Sequence, residues 1–325
     1  MLSKVAERVY WMVRYLERAE DGARLISVYG DLLLDLPRSA GLGWKDITPV
    51  LGVPKVPVRG RRAPTDAAVL RFLLLDPRNP GSLRASIANA RENARTTRDL
   101  LPTEAWRAVN ELHLFATKQL ARSVAQRHRN ELLGELVHQV QQITGLLTGT
   151  MSHGAAYQFL RIGRYLERAE MTTRIVDVAA ALLMTGRKEL AGYENTLWMA
   201  VLRSLSGYQM YRQHVRRRVH AADVLHYLLQ DREFPRAVTY CMHELEVASG
   251  KLPKSAALVR LAARYRRDLG KARLDRLDLA EVHQLVDQLQ QRFGTLHKSI
   301  SATWFHPDMA PRRSAGPQAK PAASA

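Results

Sequence analysis

Apolar residues recur along most of the chain at a spacing near 3.6, which is typical of one buried face of an α-helix. In the first such segment, Ser3 to about Leu36, they stand at Val5, Val9, Met12, Leu16, Ala19, Ala23 and Ile26. Further helical patterns cover residues 65–75, 82–101, 103–128, 130–147, 155–185, 194–218, 220–230, 235–249, 254–269 and 278–302. No segment shows the two-residue alternation of a half-buried strand, so the pattern predicts an all-α fold.

Two segments lack this periodicity. Residues 37–64 are rich in proline and glycine and are expected to form a long irregular connection, with room for a short helix between Trp44 and Leu51. The last stretch, Met309 to Ala325, is rich in proline, alanine and serine, and we expect it to be a disordered tail.

The chain also contains an internal repeat. Residues 14–20 and residues 164–170 are both RYLERAE, an offset of 150. A second pair of segments, VLRFLLLDPRNP at 69–80 and VLHYLLQDREFP at 224–235, keeps the same order at an offset of 155. Shared order and spacing indicate duplication of a helical unit. They predict two pseudo-repeated multi-helix bundles packed together, residues 1–150 and residues 151–308.

The repeated motif places charged side chains at helical spacing. Glu20 and Arg24 are four residues apart, the favourable order for an ion pair on one helix face, and the copy repeats this spacing. In one interpretation these residues form salt bridges that hold the two long helices in register. In the other they form one Glu-Arg site per half, facing a shared groove for an anionic or peptide-like ligand. The candidate groove residues are Arg14, Glu17, Arg18, Arg164, Glu167 and Arg168.

The second repeated motif predicts a corner between two helices. Pro80 and Pro235 suit the first turn of a helix, where the missing N–H costs nothing. Asn79 is a natural N-cap for the first of these helices. Asp76 and Asp231 are placed to accept hydrogen bonds from free backbone N–H groups near the corner.

The charge balance is strongly basic, with 49 Lys and Arg against 31 Asp and Glu, a net charge of +18. Such a surplus attracts anionic partners, although an arginine-rich composition also arises from a GC-rich genome. Basic residues concentrate at 212–218 and from Lys251 to Arg276, without a known nucleic-acid motif. We therefore expect a solvated basic face or a dock for an acidic partner or peptide, and no sequence-specific reading of nucleic acid.

Motifs for enzymatic chemistry are missing from the sequence. It contains no phosphate-binding P-loop, no HExxH and no GxSxG, so neither a cofactor nor a catalytic residue is predicted. Cys241 and His243 lie two apart and point away from each other on a helix, which favours a buried structural thiol. Di-iron bundles use Glu-x-x-His pairs. Glu135 with His138 forms one such pair, and Asp223 with His226 forms an imperfect second. The two are not repeat-equivalent, so no metal is predicted.

Features of export and membrane insertion are weak. Glu7 and Arg8 stand where a signal peptide needs an apolar core. The most apolar stretch, Ile175 to Met184, is short and contains Asp177. The lone cysteine cannot form an internal disulfide, which fits a reducing compartment. These features predict a cytoplasmic protein without membrane contact.

The sequence MLSKVAERVYWMVRYLERAEDGAR, followed by DPRNPGS, ARENART, QFLRIGRYLERAE and LLQDREFPRAV, resembles the bacterial alpha-E domain family over about residues 1 to 305. The family is named for helical content and Glu-Arg motifs, which here are Glu17-Arg18 and Glu167-Arg168. Its members are similar to proteins encoded beside circularly permuted ATP-grasp ligases and transglutaminase-like cysteine peptidases.

The resemblance implies a non-catalytic accessory or scaffold protein in an ATP-dependent system that synthesises or modifies peptides, with the ligase and the peptidase-like protein as partners. Two alternatives stay open. One is an enzyme in its own right that uses Glu17 and Glu167 as acid-base carboxylates. The other is a basic protein that binds polyanions nonspecifically, with an affinity that falls steeply with salt.

Overall fold

The computed structural model describes residues 2–51, 63–186, 188–190 and 192–306. The regular structure of these residues is helical and includes no strand, which confirms the predicted all-α fold. The predicted tail from Met309 to Ala325 lies outside the described residues. The helices are α1 (Ser3–Asp35), α2 (Asp66–Leu74), α3 (Leu83–Thr96), α4 (Thr103–Gln119), α5 (Gln126–Thr150), α6 (Ala155–Met184), α7 (Glu194–Ser204), α8 (Tyr208–His214), α9 (Ala221–Leu225), α10 (Val238–Gly250), α11 (Ala256–Gly270) and α12 (Leu279–Ile300).

The two long helices α1 and α6 lie against each other in the centre of the molecule. α1 ends before Pro37 because the residue that precedes a proline, Leu36, takes an extended conformation. The two helices are close together at Gly163, where an added Cβ would lie 2.5 Å from the carbonyl oxygen of Tyr10. No helix in the described part of the chain combines the length and the apolar character that a membrane crossing requires.

The remaining helices surround this central pair in a matching order. α1 packs against α3 and α5, while α4 packs against both of these. α6 packs against α10 and α12, while α11 packs against both of those. α7 contacts both long helices. Each long helix is therefore flanked by helices in the same sequence order; the duplication itself remains a prediction.

Several helix boundaries differ from the periodic pattern. The segment predicted as one helix over 194–218 is divided into α7 and α8, because Ser206 has a φ of 54° and interrupts the helix. The segment predicted over 103–128 ends at Gln119, and a 3₁₀ turn over Leu120–Val124 leads into α5. A 3₁₀ turn over Trp44–Ile47 occupies the place of the predicted short helix. Two π-helical turns, His226–Gln230 and Ser301–Phe305, follow α9 and α12.

The prediction that Pro80 and Pro235 lie in the first turn of a helix was wrong. α3 begins at Leu83, one residue after the predicted start at residue 82, with the Ser82 hydroxyl accepting from the Ala85 N–H, and α10 begins at Val238. Both prolines lie in the turns before these helices. In the first of these turns Gly81 packs against backbone, where an added Cβ would lie 2.1 Å from the Leu51 carbonyl oxygen.

The polar residues of the two corners stabilise turns. Asn79 is not a helix cap: its Oδ1 accepts from the Gly81 N–H and its Nδ2 donates to the Phe72 carbonyl. Asp76 accepts from the N–H of Arg78, two residues later. Asp231 accepts from the N–H groups of Glu233 and Phe234. These contacts fit the local Asx turns that Asn and Asp favour.

Candidate functional site: an arginine-glutamate network between the long helices

The two RYLERAE segments meet where α1 and α6 cross. Arg18 Nε donates to Glu167 Oε1 at 2.7 Å, and Arg168 Nε donates to Glu17 Oε2 at 2.8 Å. In each pair a second guanidinium N–H donates to the other carboxylate oxygen at 3.1 Å. Each glutamate is thus held in a two-pronged ion pair by an arginine of the opposite segment, a strong form of charged hydrogen bond.

Arg14 extends the network towards α12. Its Nε lies 2.5 Å from Glu167 Oε2, and its Nη2 lies 2.7 Å from Glu170 Oε2. Its Nη1 donates to the Tyr10 hydroxyl, which lies 2.8 Å from His297 Nδ1. Burial, aided by the charge of Arg14, lowers the pKa of His297 to about 4. The neutral imidazole and the Tyr10 hydroxyl are hydrogen-bonded, so the network continues across three helices.

Arg236, in the turn before α10, joins the network from the second corner. Its Nη2 lies 2.9 Å from Glu20 Oε1, and its Nη1 donates to Asp21. Glu20 also accepts from Arg24, one helical turn later. Sequence reasoning missed Arg236 and Asp21. One feature of the sequence could have pointed to Arg236: the second corner has an arginine at the position where the first corner has Gly81.

The central carboxylates are buried and ionised. Glu17 and Glu167 are each 1% exposed. Burial alone would raise the pKa of Glu167, but Arg14 and Arg18 hold it down at about 2. Burial also acts to raise the pKa of Glu17, but the charges of Arg168, Arg236 and Arg164 lower this pKa below its ordinary value. Neither group holds a proton near neutral pH, so neither can serve as a general acid there.

Asp21 behaves in the opposite way. It is fully buried, and burial raises its pKa to about 7 against the opposing charge of Arg236. The nearby carboxylates of Glu17 and Glu20 add to this rise. Its Oδ2 has no hydrogen-bond donor within the described residues. The carboxylate is therefore the least well compensated acidic group of the network.

Arg164 breaks the symmetry between the two segments. Its Nε lies 3.2 Å from Glu17, a carboxylate that Arg168 already holds, and its Nε and Nη2 make no hydrogen bond to any described residue. Burial lowers the pKa of Arg164, because the charged form is poorly compensated. The repeat-equivalent Arg14 instead contacts two carboxylates.

Overall the ion pairs join seven arginines to five carboxylates. The arginines are Arg14, Arg18, Arg24, Arg164, Arg168, Arg174 and Arg236, and the carboxylates are Glu17, Glu20, Asp21, Glu167 and Glu170.

The structure therefore brings together all six residues predicted to line a groove, and they contact one another. Four of them are buried, while the side chains of Arg18 and Arg168 are 20% and 14% exposed. The principal clefts of the described chain are lined by other residues. In this arrangement the six side chains lock two helices together, and access for a ligand is limited to the outer edges of Arg18 and Arg168.

The remaining chemical candidates are dispersed. Cys241 is buried, its thiol contacts the Pro235 carbonyl at 3.5 Å, and burial raises its pKa to about 12, so it is a poor nucleophile. Glu135 accepts a hydrogen bond from Gln139, and Asp223 pairs with Arg217.

A different group of potential metal ligands joins α6 to α12. His283 Nδ1 lies 2.5 Å from Asp177 Oδ1, and His283 Nε2 lies 3.8 Å from Asp287 Oδ2. Hydrogen bonding to Asp177 raises the pKa of His283, and a metal would require the neutral imidazole. Sequence spacing gave no sign of this group, because Asp177 and His283 are 106 residues apart.

The family model Alpha-E, described as a predicted alpha-helical domain with a conserved ER motif, matches residues 1–305. Proteins named as uncharacterized, from Mycobacterium bovis and Mycobacterium tuberculosis, are each 23% identical to this chain over 320 residues and cover 91% of it. The chain spans 35% of the length of these curated relatives. No solved structure matches the chain.

Proposed function

The chain belongs to the Alpha-E family, and from that premise we propose that it is a non-catalytic accessory protein. It docks on an ATP-grasp-type ligase and a transglutaminase-like protein, and it serves a system that makes or modifies peptides. The two partners come from the family resemblance. The relatives are about three times as long as the matched region, which suits a domain that works alongside other domains.

The state of the Glu-Arg network carries this proposal. A catalytic acid or base needs contact with substrate and a pKa near the working pH. Glu17 and Glu167 have neither: both are 1% exposed, and arginines keep both ionised. The repeated motif accordingly serves as a clamp between α1 and α6, and the outer helices are left to carry the contacts with partners. This disfavours the alternative of an enzyme that uses the two glutamates.

We also propose that the two halves arose by duplication and that the clamp dates from the ancestral pair. The reciprocal ion pairs support this origin, because Arg18 with Glu167 and Arg168 with Glu17 are related by the same offset of 150 residues. The matching order of helices around α1 and α6 points the same way.

Co-purification tests the accessory role. The tagged chain is mixed with the ATP-grasp-type ligase of its source organism at physiological salt, and the mixture is analysed by size-exclusion chromatography. We expect a complex of fixed stoichiometry and a changed rate of ATP-dependent amide formation. An unrelated helical protein of similar positive charge is the control for association by charge alone. Absence of a complex, with an unchanged ligase rate, would reject the proposal.

A second candidate, binding of an acidic partner or polyanion, is favoured by one face of α11. Arg260, Arg264, Arg267 and Lys271 are exposed at spacings of four, three and four, which align them along about 16 Å of helix. Within the described chain none lies within 4.0 Å of a carboxylate. These four residues are called the α11 basic stripe.

Salt dependence tests this second candidate. Binding of a single-stranded RNA through the α11 basic stripe should weaken steeply between low and physiological salt. Replacing the four stripe residues with glutamine should flatten that dependence. Arg273→Gln is the matched control, because Arg273 is exposed but already pairs with Asp275 at 3.3 Å. If the RNA does not bind, or if its affinity does not change with salt concentration, polyanion binding is rejected as a function.

A further inference from the structure

A cleft of about 360 Å³ lies between the first half of α1 and the last turns of α3. Its lining consists of Lys4, Glu7, Arg8, Trp11, Tyr15 and Asn93. Four of these residues, at spacings of four, three and four, form a single stripe along α1, with the two cations before the two rings. We call this feature the α1 cleft. It is separate from the buried network and from the α11 basic stripe.

The two cations of the α1 cleft form no ion pair within the described residues, although Arg95 and, more weakly, Arg8 lower the pKa of Glu92. Lys4 and Arg8 are exposed, and within the described residues neither lies within 4.0 Å of a carboxylate. Glu7, the one acidic group of the lining, lies 3.7 Å from His306. The side chain of Asn93 makes no hydrogen bond within the same set of residues, because the contacts to Asn93 come from threonine hydroxyls and go to its carbonyl. The cleft thus presents free donors of both charged and neutral type.

The two rings of the α1 cleft are held in place from behind. The Trp11 and Tyr15 rings stack with centroids 5.4 Å apart and planes inclined by 28°. The guanidinium of Arg14 lies 4.9 Å from the Trp11 ring, and that of Arg18 lies 5.7 Å from the Tyr15 ring. Both arginines are anchored by Glu167. The buried network therefore holds in place two rings that also line the cleft.

The fold does not require this set of side chains. The positions 150 residues later, in the second copy of the motif, hold Gly154, Gln158 and Arg161 in place of Lys4, Arg8 and Trp11. Gln158 is buried, and Arg161 is neutralised by Glu244. The second long helix thus has neither the lysine-arginine pair nor the tryptophan at these described positions.

We propose that the α1 cleft binds a mononucleotide, or a closely similar anion made of a phosphate and a planar ring. Lys4 and Arg8 pair with the phosphate, since both cations bind phosphate oxygens well. The ring stacks on Trp11 and Tyr15, as bases do on aromatic side chains. Asn93 bonds the ring edge, and Glu7 accepts from a sugar hydroxyl. The cleft volume falls at the lower end of the range for small-molecule sites. This site stands independently of the proposed accessory role.

Calorimetric titration of the full chain with AMP, adenosine and inorganic phosphate tests the assignment. AMP should bind about tenfold or more tightly than either of its parts, because ring and phosphate are held together. Arg8→Gln should weaken the binding of AMP but leave the binding of adenosine unchanged. Trp11→Leu should weaken the binding of both AMP and adenosine. Asn93→Asp adds a negative charge on the opposite wall of the cleft without altering α1, so it should weaken AMP binding even if the α1 variants fold poorly.

Arg127→Gln is the matched control, since it removes an exposed arginine of α5 that forms no ion pair within the described residues and belongs to neither proposed site. It should leave AMP binding unchanged. The proposal is overturned if AMP binds no better than phosphate alone. It is equally overturned if Arg127→Gln weakens AMP binding as much as Arg8→Gln does, because binding would then follow overall charge.

Discussion

Arg14 and Arg164 occupy equivalent places in the two motif copies, yet their replacement by methionine should have very different effects on stability. Methionine keeps much of the length and apolar packing of the side chain while removing its charge. At Arg14 the change removes contacts with Glu167, Glu170 and Tyr10. Glu170 would then keep only Arg174, at 3.9 Å. Removing one partner of a buried ion pair typically costs 3–5 kcal/mol. We expect about 3 kcal/mol here, because Glu167 retains Arg18.

At Arg164 the same change removes one ion contact of 3.2 Å and leaves Glu17 in its two-pronged pair with Arg168. It also removes two buried N–H groups that have no hydrogen-bond partner, each of which costs about 1–3 kcal/mol in the native protein. The loss and the gain are of similar size. We therefore expect the free energy of unfolding to change by less than about 1 kcal/mol, in either direction.

Urea denaturation followed by far-UV circular dichroism measures this difference. With a slope of about 3 kcal/mol per molar urea, Arg14→Met should lower the midpoint by about 1 M and Arg164→Met by less than about 0.3 M. Arg260→Met, at an exposed and unpaired position, is the control for the substitution itself. Equal midpoint shifts for Arg14→Met and Arg164→Met, at equal slopes, would show that the asymmetry of the network has no energetic consequence.

Three further changes probe other parts of the core. The folded-state pKa of Asp21, about 7, lies above its unfolded value near 3.8, so the native state binds the extra proton between these pH values. Stability should therefore fall as the pH rises from about 4 to about 7, and Asp21→Asn should flatten this fall in midpoints measured across that range. Gly163→Ala should lower the melting temperature, since its Cβ would lie 2.5 Å from the Tyr10 carbonyl oxygen. Gly134→Ala, at an unobstructed position in α5, should raise it by the equivalent of about 0.5–1 kcal/mol, and a fall in both variants would contradict the assigned helix contact. Cys241 should react with a thiol reagent such as DTNB only after unfolding, because its pKa is raised to about 12; rapid labelling of the native chain would contradict its burial.

The helices were predictable where the apolar pattern is long and a strong terminator follows. α1 illustrates this, because its stripe from Val5 to Ile26 runs without interruption and Pro37 limits it. The break between α7 and α8 was not predictable in the same way. It depends on Ser206 at positive φ and on the close contact of Gly207 with the Phe234 ring, which apolar spacing does not encode.

The candidate site was predictable in its residues but not in its arrangement. Repetition alone identified the six arginines and glutamates. Their cross-pairing depends on the register of α1 against α6, and the close backbone approach at Gly163 belongs to that tertiary packing rather than to the charge pattern. Arg236 was missed because it lies in a turn that is distant from α6 in sequence. The contact that joins this turn to α6, from the Thr172 hydroxyl to the Arg236 carbonyl, spans 64 residues. The cap predicted at Asn79 was also wrong, because Asn79 bonds to Phe72 and Gly81 within the turn, and the Ser82 side chain caps α3 instead.

The network is symmetric only in part, and the difference lies at the two corners. Arg236 takes the carboxylate of Glu20, a group that Arg164 would need in order to match the pairing of Arg14 with Glu170. Gly81 stands at the corresponding place of the first half, where the nearby Leu51 carbonyl excludes a side chain. This difference leaves Arg164 with one carboxylate partner among the described residues, Glu17. Outside the core, the α1 cleft lies on the first half of the chain and the α11 basic stripe on the second. The proposed site for a small ligand and the proposed site for an acidic partner are therefore on different helices.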